Sequence, residues 1–323
     1  MMMRAAMYDR YGPPEVLTLR EVSRPEPRED EVRIAIGATT VTAACGMMRR
    51  GDSVMARLIL GLFRPRRKFR IPGIELCGRV DAVGRRVTRF KAGDRVFGFT
   101  GFTPGACAEF LCLSEDASLA LAPDSLSDDE AASLVDGPTT ALYFLQGHVR
   151  AGTRLAIVGA AGSIGSAAVQ VAHHLGAHVT GICSTKNLEL VRQLGADDVV
   201  DYTREDFTSS NRRYEVVFDT VGKSSFTRSS RCLVDGGRYL TTVGGLGAYL
   251  LTLLTRWFAR TRFVFGMSVD KRGALVRVTE LVRTGALRTI IDRRFPLAEI
   301  AEAHRYVEQG HKRGNVVITV ATR

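Results

Sequence analysis

The sequence predicts an α/β fold of two domains, a β-rich front into which a doubly wound parallel-sheet middle is inserted. Three observations predict it. Residues 154–186 read as strand, glycine-punctuated turn, helix and second strand. The first 120 or so residues carry short strand-like runs between Gly, Pro and Asp turns, and from Pro123 the texture changes to alternating helices and strands. The tail then returns to helix and a closing strand, so the expected domains are residues 1–122 with 269–323, and residues 123–268.

In the front, strands are expected over 31–36, 79–83, 95–99 and 108–113, each bounded by turn-forming residues. Ser127, with Glu130 three residues on, forms a capping-box pattern and opens a helix to Leu134. Arg154-Leu155-Ala156-Ile157-Val158 is a short apolar run suited to a buried parallel strand. Gly159-Ala160-Ala161-Gly162-Ser163-Ile164-Gly165 follows at once, and Ile164, Ala167, Ala168, Val171 and Leu175 recur at helical spacing before Gly176 ends the helix. A second strand runs over 177–182. This is the layout of a dinucleotide-binding βαβ unit, in which small residues let the backbone approach a pyrophosphate held by the helix N-terminus. The spacing is G-x-x-G-x-x-G, one residue looser than the commonest form, and a tight βα turn without a ligand is the alternative reading.

The second strand carries the cofactor preference. NAD-preferring sites place Asp or Glu near its end to hold the ribose 2′-hydroxyl, whereas here it closes on Cys183-Ser184-Thr185-Lys186-Asn187. A hydroxyl and a lysine attract a 2′-phosphate that a carboxylate would repel, so NADP is expected. Ser184 and Thr185 also read as caps of the next helix, which runs to Leu194. Further strands are expected over 197–202, 215–219 and 238–243, with 262–266 as an edge strand. Helices over 273–283 and 297–309 and a strand over 315–320 complete the chain.

Composition excludes several classes. Lys and Arg exceed Asp and Glu by 45 − 34, or +11, but most of the excess is scattered arginine, which argues against nucleic acid. The main cluster, Arg64-Pro65-Arg66-Arg67-Lys68-Phe69-Arg70, reads as a solvated loop or as a contact for an anionic partner or membrane surface. Two apolar stretches, 54–63 and 248–258, are too short to span a bilayer and read as amphipathic helices over a cleft or subunit contact, with peripheral membrane contact as the other reading. Six cysteines (Cys45, Cys77, Cys107, Cys112, Cys183, Cys232) without a C-x-x-C pair, and a start without a signal-peptide core, predict a cytoplasmic protein.

With these pieces in place the chain resembles the medium-chain dehydrogenase/reductase superfamily, in its zinc-independent quinone-oxidoreductase-like branch. The resemblance rests on Met7-Tyr8-Asp9-Arg10-Tyr11-Gly12-Pro13-Pro14-Glu15-Val16-Leu17, on Val87-Thr88-Arg89-Phe90-Lys91-Ala92-Gly93-Asp94-Arg95-Val96-Phe97-Gly98, and on Asp136-Gly137-Pro138-Thr139-Thr140-Ala141-Leu142. It continues through Leu194-Gly195-Ala196-Asp197 and Glu302-Ala303-His304-Arg305-Tyr306-Val307-Glu308. It implies a GroES-like catalytic domain and a Rossmann domain with NADPH in the cleft between them. It also implies a homodimer that extends the sheet through 262–266. On the cofactor side it implies Thr139 beside the nicotinamide, and Gly162, Ser163, Ile164 and Gly165 at the pyrophosphate. Ser184, Lys186 and Tyr202 fall at the 2′-phosphate, and Gly244 and Gly245 at the nicotinamide ribose. Asn315 stands where relatives have Lys.

The chain departs from the pattern in two places. Zinc-dependent members hold the metal with Cys, His and a third ligand; here Cys45 and Asp136 take the outer positions, but Pro72-Gly73-Ile74-Glu75 puts isoleucine at the histidine. Isoleucine offers no lone pair, so no metal is expected, and Glu75 reads as a buried, paired carboxylate. In the substrate loop Thr42, Cys45 and Met47 replace the Asn, Asp and Tyr of zinc-independent relatives, while Arg49 and Gly51 remain. Thr42 is a candidate hydrogen-bond donor to substrate or cofactor. Cys45 reads as a nucleophile or a pocket-lining thiol, and Met47 with Met48 as an apolar pocket or as core. The expected activity is NADPH-dependent reduction of a quinone or an α,β-unsaturated carbonyl. The alternatives are an NADPH-binding regulatory protein with little turnover, and a zinc-type alcohol dehydrogenase.

Overall fold

The computed structural model describes residues 1–52, 54–101 and 103–320. They form two compact units. The first comprises Met1–Asp136, Val269–Glu280 and the chain from Thr289 on, and the second Gly137–Ser268 with Leu281–Arg288.

The first unit begins with β1 (Met2–Met7) and β2 (Thr18–Ser23), an antiparallel pair. Next come β3 (Glu31–Thr40), α1 (Ala43–Arg50), α2 (Val54–Leu60), β4 (Glu75–Val83), β5 (Arg95–Phe99), β6 (Phe110–Ser114) and β7 (Ser118–Leu121). The expected strands are all present; β3 and β4 run several residues further, through Ala38, Thr39 and Thr40 and through Glu75, Leu76, Cys77 and Gly78, where consecutive residues are buried. Helix α3 (Asp128–Ala132) carries the full capping box between Ser127 and Glu130. It belongs to the first unit although it lies beyond residue 122, because Asp128 presses on Gly37 of β3, where a Cβ would come within 1.9 Å of the carboxylate. Arg95 also binds Asp128 at 2.7 Å.

The second unit begins at Gly137, one residue into α4 (Asp136–Leu145). It contains β8 (Arg154–Val158), α5 (Ser163–His174), β9 (His178–Cys183), α6 (Leu188–Gln193) and β10 (Asp198–Asp201). It goes on through β11 (Tyr214–Asp219), α7 (Phe226–Ser229), β12 (Leu233–Thr241), α8 (Leu246–Phe258) and β13 (Arg262–Phe265). Its sheet is six-stranded and parallel, in the order β10-β9-β8-β11-β12-β13. The chain therefore moves outward from β8 in both directions, and the switch point lies between β8 and β11, where such sheets bind ligands at the strands' C-terminal ends. Ala156, Val158, Ile182, Val217 and Tyr239 fill one side of the sheet.

The tail supplies α9 (Arg272–Arg283), β14 (Ile291–Pro296), α10 (Ile300–Glu308) and β15 (Asn315–Thr319). Strands β14 and β15 pair in parallel, and β15 joins β3 antiparallel, closing a seven-stranded sheet in the order β14-β15-β3-β4-β5-β7 with β6 also on β3. Residues 281–288 fall with the second unit because Gln170 of α5 clasps Arg288, donating to its carbonyl at 3.1 Å and accepting from its N–H at 2.9 Å.

Candidate active site

The glycine turn after β8 divides its labour. Gly159 sits at φ 79°, a left-handed conformation that glycine adopts without strain, and a Cβ there would meet Val221 at 2.7 Å. Gly165 is glycine for packing: its Cβ would lie 2.1 Å from the Gly159 carbonyl, so only glycine lets α5 start this close to the strand. Gly162 is different. It is the N-cap of α5, offers no side-chain acceptor to the first-turn N–H groups, and an added Cβ would touch only the Gly159 carbonyl at 3.4 Å. The helix start beside Gly162 is thus open backbone carrying the positive end of the helix dipole, suited to a phosphate. Ser163 stands against the start of α4, where a Cβ on Gly137 would come within 2.7 Å of its Oγ, and Ile164 is half-buried. Thr139, on α4, is fully buried.

The ends of β9 and β10 bring three of the sequence candidates together. The register pairs Ile182 with Val200 and Cys183 with Asp201, and the Tyr202 N–H donates to the Cys183 carbonyl at 3.1 Å. Tyr202 therefore lies across from Ser184, with Lys186 exposed two residues further on. Ser184 does not cap α6. It precedes a short 3₁₀ turn, its hydroxyl accepts from Asn187 Nδ2 at 3.2 Å, and no side-chain cap forms. Thr185 likewise gives its hydroxyl to Asp201 Oδ2 at 2.5 Å instead of capping a helix.

Asp201 is a carboxylate that reading β9 alone overlooks. It is buried at the end of the neighbouring strand and also accepts from the Thr203 N–H at 3.0 Å and hydroxyl at 2.7 Å. Those bonds, the Thr185 hydroxyl foremost, hold its pKa below the ordinary value. Both oxygens are engaged, so the carboxylate organises the turn that presents Ser184 and Lys186.

Asp219 is the second residue missed. Fully buried at the end of β11, it accepts from the N–H groups of Val221, Gly222 and Ser224 at 3.0, 2.8 and 2.8 Å, and from the Tyr239 hydroxyl at 2.9 Å. It fixes the loop that abuts Gly159 at the switch point. Its only signal in the sequence is its place at the end of an apolar strand. Beyond β12 the two glycines separate as well. Gly244 is required by packing, since its Cβ would meet Ala248 at 2.6 Å and Phe265 at 3.0 Å, whereas Gly245 faces open space at the start of α8.

In the first unit, Thr42 is the N-cap of α1: its hydroxyl oxygen accepts from the Cys45 N–H at 3.3 Å and lies 3.4 Å from Cys45 Sγ. Cys45 is buried, and burial raises its thiol pKa, so the thiolate is disfavoured. With Met48, Pro72, Gly73 and Ile74 it lines a narrow hollow. Met47 lies outside that hollow and is half-exposed (51%), so it is not core. Arg49 is buried, its guanidinium binding Glu308 and the Gly12 carbonyl. Asn315 is buried too and donates to the Ile290 carbonyl at 3.2 Å.

The position that holds zinc in metal-dependent relatives has a different chemistry here. Ile74 contributes no donor. The Asp136 carboxylate is bound by Lys271 Nζ at 2.8 Å, and Lys271 itself is almost fully buried (1% exposed) with Phe99 under its ammonium at 5.0 Å. Glu75, also buried, accepts from the Asp136 N–H at 2.5 Å and from the Thr40 hydroxyl. Burial and the neighbouring Asp136 carboxylate raise its pKa. Among the described residues no three His, Cys, Asp or Glu side chains cluster as metal ligands. These donors do not fit a zinc ion: the group at this point is an internal ammonium.

Comparison with known proteins agrees with this architecture. Residues 28–124 match the alcohol dehydrogenase GroES-like domain and residues 194–318 a domain described as zinc-binding dehydrogenase. The quinone oxidoreductase of Pseudomonas aeruginosa is 31% identical over 336 residues, covering 98% of this chain and 99% of that protein. A chloroplastic NADPH-dependent alkenal/one oxidoreductase of Arabidopsis thaliana is 29% identical, covering 98% and 79%. The solved quinone oxidoreductase of Coxiella burnetii superposes with a TM-score of 0.89 at 29% identity, covering 99% of this chain and all of that one. The chain belongs to the medium-chain dehydrogenase/reductase superfamily, among its quinone-oxidoreductase-like members. It is accordingly an oxidoreductase with a nicotinamide cofactor, built from a GroES-like and a Rossmann-like domain.

Proposed function

We propose that this protein is an NADPH-dependent reductase that transfers hydride to a quinone or an α,β-unsaturated carbonyl without zinc. The observation that carries the reading is the end of β9, where no carboxylate follows Cys183, Tyr202 bonds back to the Cys183 carbonyl next to Ser184, and Lys186 is exposed two residues on. A lysine and two hydroxyls match the charge and donor demand of a 2′-phosphate. Gly162, Ser163, Ile164 and Gly165 would hold the pyrophosphate at the start of α5, and Gly245 leaves backbone open for the nicotinamide ribose. Thr139 would pack beside the nicotinamide. The bound cofactor supplies the hydride.

The acceptor class follows from what the first unit lacks. Reduction of a simple ketone needs a metal or a positioned acid at the carbonyl, and here Lys271 neutralises Asp136 while the buried Cys45 thiol is a poor acid. Quinones and enones take up hydride without that help and can draw their proton from water. Thr42, Cys45 and Met47 are assigned to the substrate side on the strength of their place in the family's loop. The Arabidopsis relative is named for alkenals and enones, and the Pseudomonas one for quinones. The six free thiols fit a reducing compartment such as the cytoplasm. We also assign a homodimer, supported by β13 at the edge of the six-stranded sheet beside α8, whose Leu246, Leu250, Leu253 and Trp257 are exposed along one face.

A second reading, an NADPH-binding protein with little turnover, is favoured by one observation: the Thr42 hydroxyl is engaged as a helix cap. Following NADPH absorbance with a panel of quinones and enones separates the two. Acceptor-dependent oxidation that survives a metal chelator supports the reductase; tight NADPH binding without oxidation by any acceptor supports the second reading.

A further inference from the structure

The turn that follows α2 is built to hold apolar side chains in water, and nothing in the proposed reaction uses it. Leu60 and Phe69 anchor it in the first unit's interior. Between them the Gly61 N–H donates to the Arg57 carbonyl at 2.7 Å, the Arg66 N–H to the Leu60 carbonyl at 2.8 Å, and the Tyr11 hydroxyl to the Gly61 carbonyl at 2.5 Å. Gly61 has φ 129°, and a Cβ there would lie 2.1 Å from the Arg64 carbonyl, so the reversal is tight and needs glycine. The result is a fixed tip carrying Leu58, Ile59 and Leu62 on the surface, with Phe63 at its end, 88% exposed.

The charge around this tip is of one sign. Arg64, Arg66, Arg67 and Lys68 are all exposed, and no Asp or Glu occurs between Asp52 and Glu75. Of the neighbouring acids, Asp52 is bound to Arg50 at 2.7 Å, while Asp9 pairs with Arg20 and with Arg70 at the base of the cluster and feels the charge of Arg64. No ion pair among the described residues neutralises the four exposed cations. Aliphatic side chains and a phenylalanine rimmed by Lys and Arg form the pattern of an interfacial anchor, in which apolar groups enter the headgroup region and cations meet anionic lipid. A nucleic acid would want the cations but not the aliphatic tip, and a single exposed ring is no stacking platform. No described helix is long and apolar enough to cross a membrane, so the contact is one of surface attachment.

We propose that the 58–68 turn docks this protein peripherally on anionic lipid bilayers. The reductase reading is not needed for it. The test is co-sedimentation of the full chain with vesicles of phosphatidylcholine alone and of equimolar phosphatidylcholine and phosphatidylglycerol. Binding is expected to the anionic vesicles only and to fall as salt rises. Leu62→Ser with Phe63→Ser, and separately Arg64→Glu with Arg67→Glu and Lys68→Glu, should each weaken it by about tenfold or more while the melting temperature stays unchanged. Should either variant fold poorly, Phe63→Trp in a Trp257→Phe background gives the same answer: its emission should shift to the blue with anionic vesicles only. Failure of the parent to bind anionic vesicles, binding by either variant as tight as the parent's, no blue shift, or retention on RNA in place of vesicles would each overturn the proposal.

Discussion

Lys271 and His304 are each almost wholly buried, and neither stands out in the sequence. Lys271 is held by Asp136, whose N–H in turn reaches Glu75. Lys271→Met would leave two carboxylates facing each other with only the charge of Lys312 still acting on them, and should cost on the order of 3 kcal/mol, read from the urea midpoint. Adding Asp136→Asn should recover part of that loss; an unchanged midpoint for Lys271→Met would deny the ion pair its role. His304 has no partner for either ring nitrogen, and burial, then Arg49 and Arg50, lower its pKa to about 3. The unfolded chain protonates it near its ordinary value of about 6.5, before the folded protein does. Its contribution is therefore intact above about pH 6.5 and lost as pH falls towards about 3. His304→Leu should retain more of its neutral-pH stability near pH 5 than the parent does, measured by urea unfolding at both pH values; parallel losses would contradict the assignment. Sequence reading had no access to either group, because burial of a charge leaves no periodic signature.

At the scale of elements, apolar runs and cap chemistry locate the strands of the parallel sheet and four strands of the front, but not β2, β7 and β14 or the helices α1, α4 and α7. Strands at Arg154–Val158 and Arg95–Phe99 and the capping box at Ser127 stand where apolar runs and cap chemistry put them. What stayed hidden depends on neighbours across the sheet. Asp201 meets Thr185 only because β10 lies beside β9, and Thr185 loses its expected capping role to that arrangement. The glycines of the phosphate turn look alike in the sequence, yet Gly165 answers to packing and Gly162 to open space. Gly165→Ala should therefore destabilise the fold, by roughly 1–3 kcal/mol as an overpacked site. Gly162→Ala should leave the melting temperature within a few degrees and weaken nicotinamide-cofactor binding instead. Thermal unfolding and a binding titration on both variants check the pair, and equal effects would mean that the two positions share one role.

At the scale of the molecule the sequence resemblance carried the division into GroES-like and Rossmann-like parts. The boundaries follow contacts that only the fold reveals, with α3 tied to β3 by Asp128 and residues 281–288 tied to α5 by Gln170. The proposed homodimer belongs to this scale. Leu250→Glu with Leu253→Glu, which place charges on the exposed face of α8, should give a monomer in analytical ultracentrifugation where the parent sediments as a dimer. A parent that is already monomeric would contradict that assignment.

On the proposed function, the end of β9 selects a 2′-phosphate. Calorimetric titration of the parent protein and of Lys186→Asp with NADPH and NADH tests it most directly. The parent should bind NADPH about tenfold or more tightly than NADH, and the variant should lose at least that factor for NADPH while NADH binding changes little. A parent with no preference, or a variant that keeps full NADPH affinity, would contradict it.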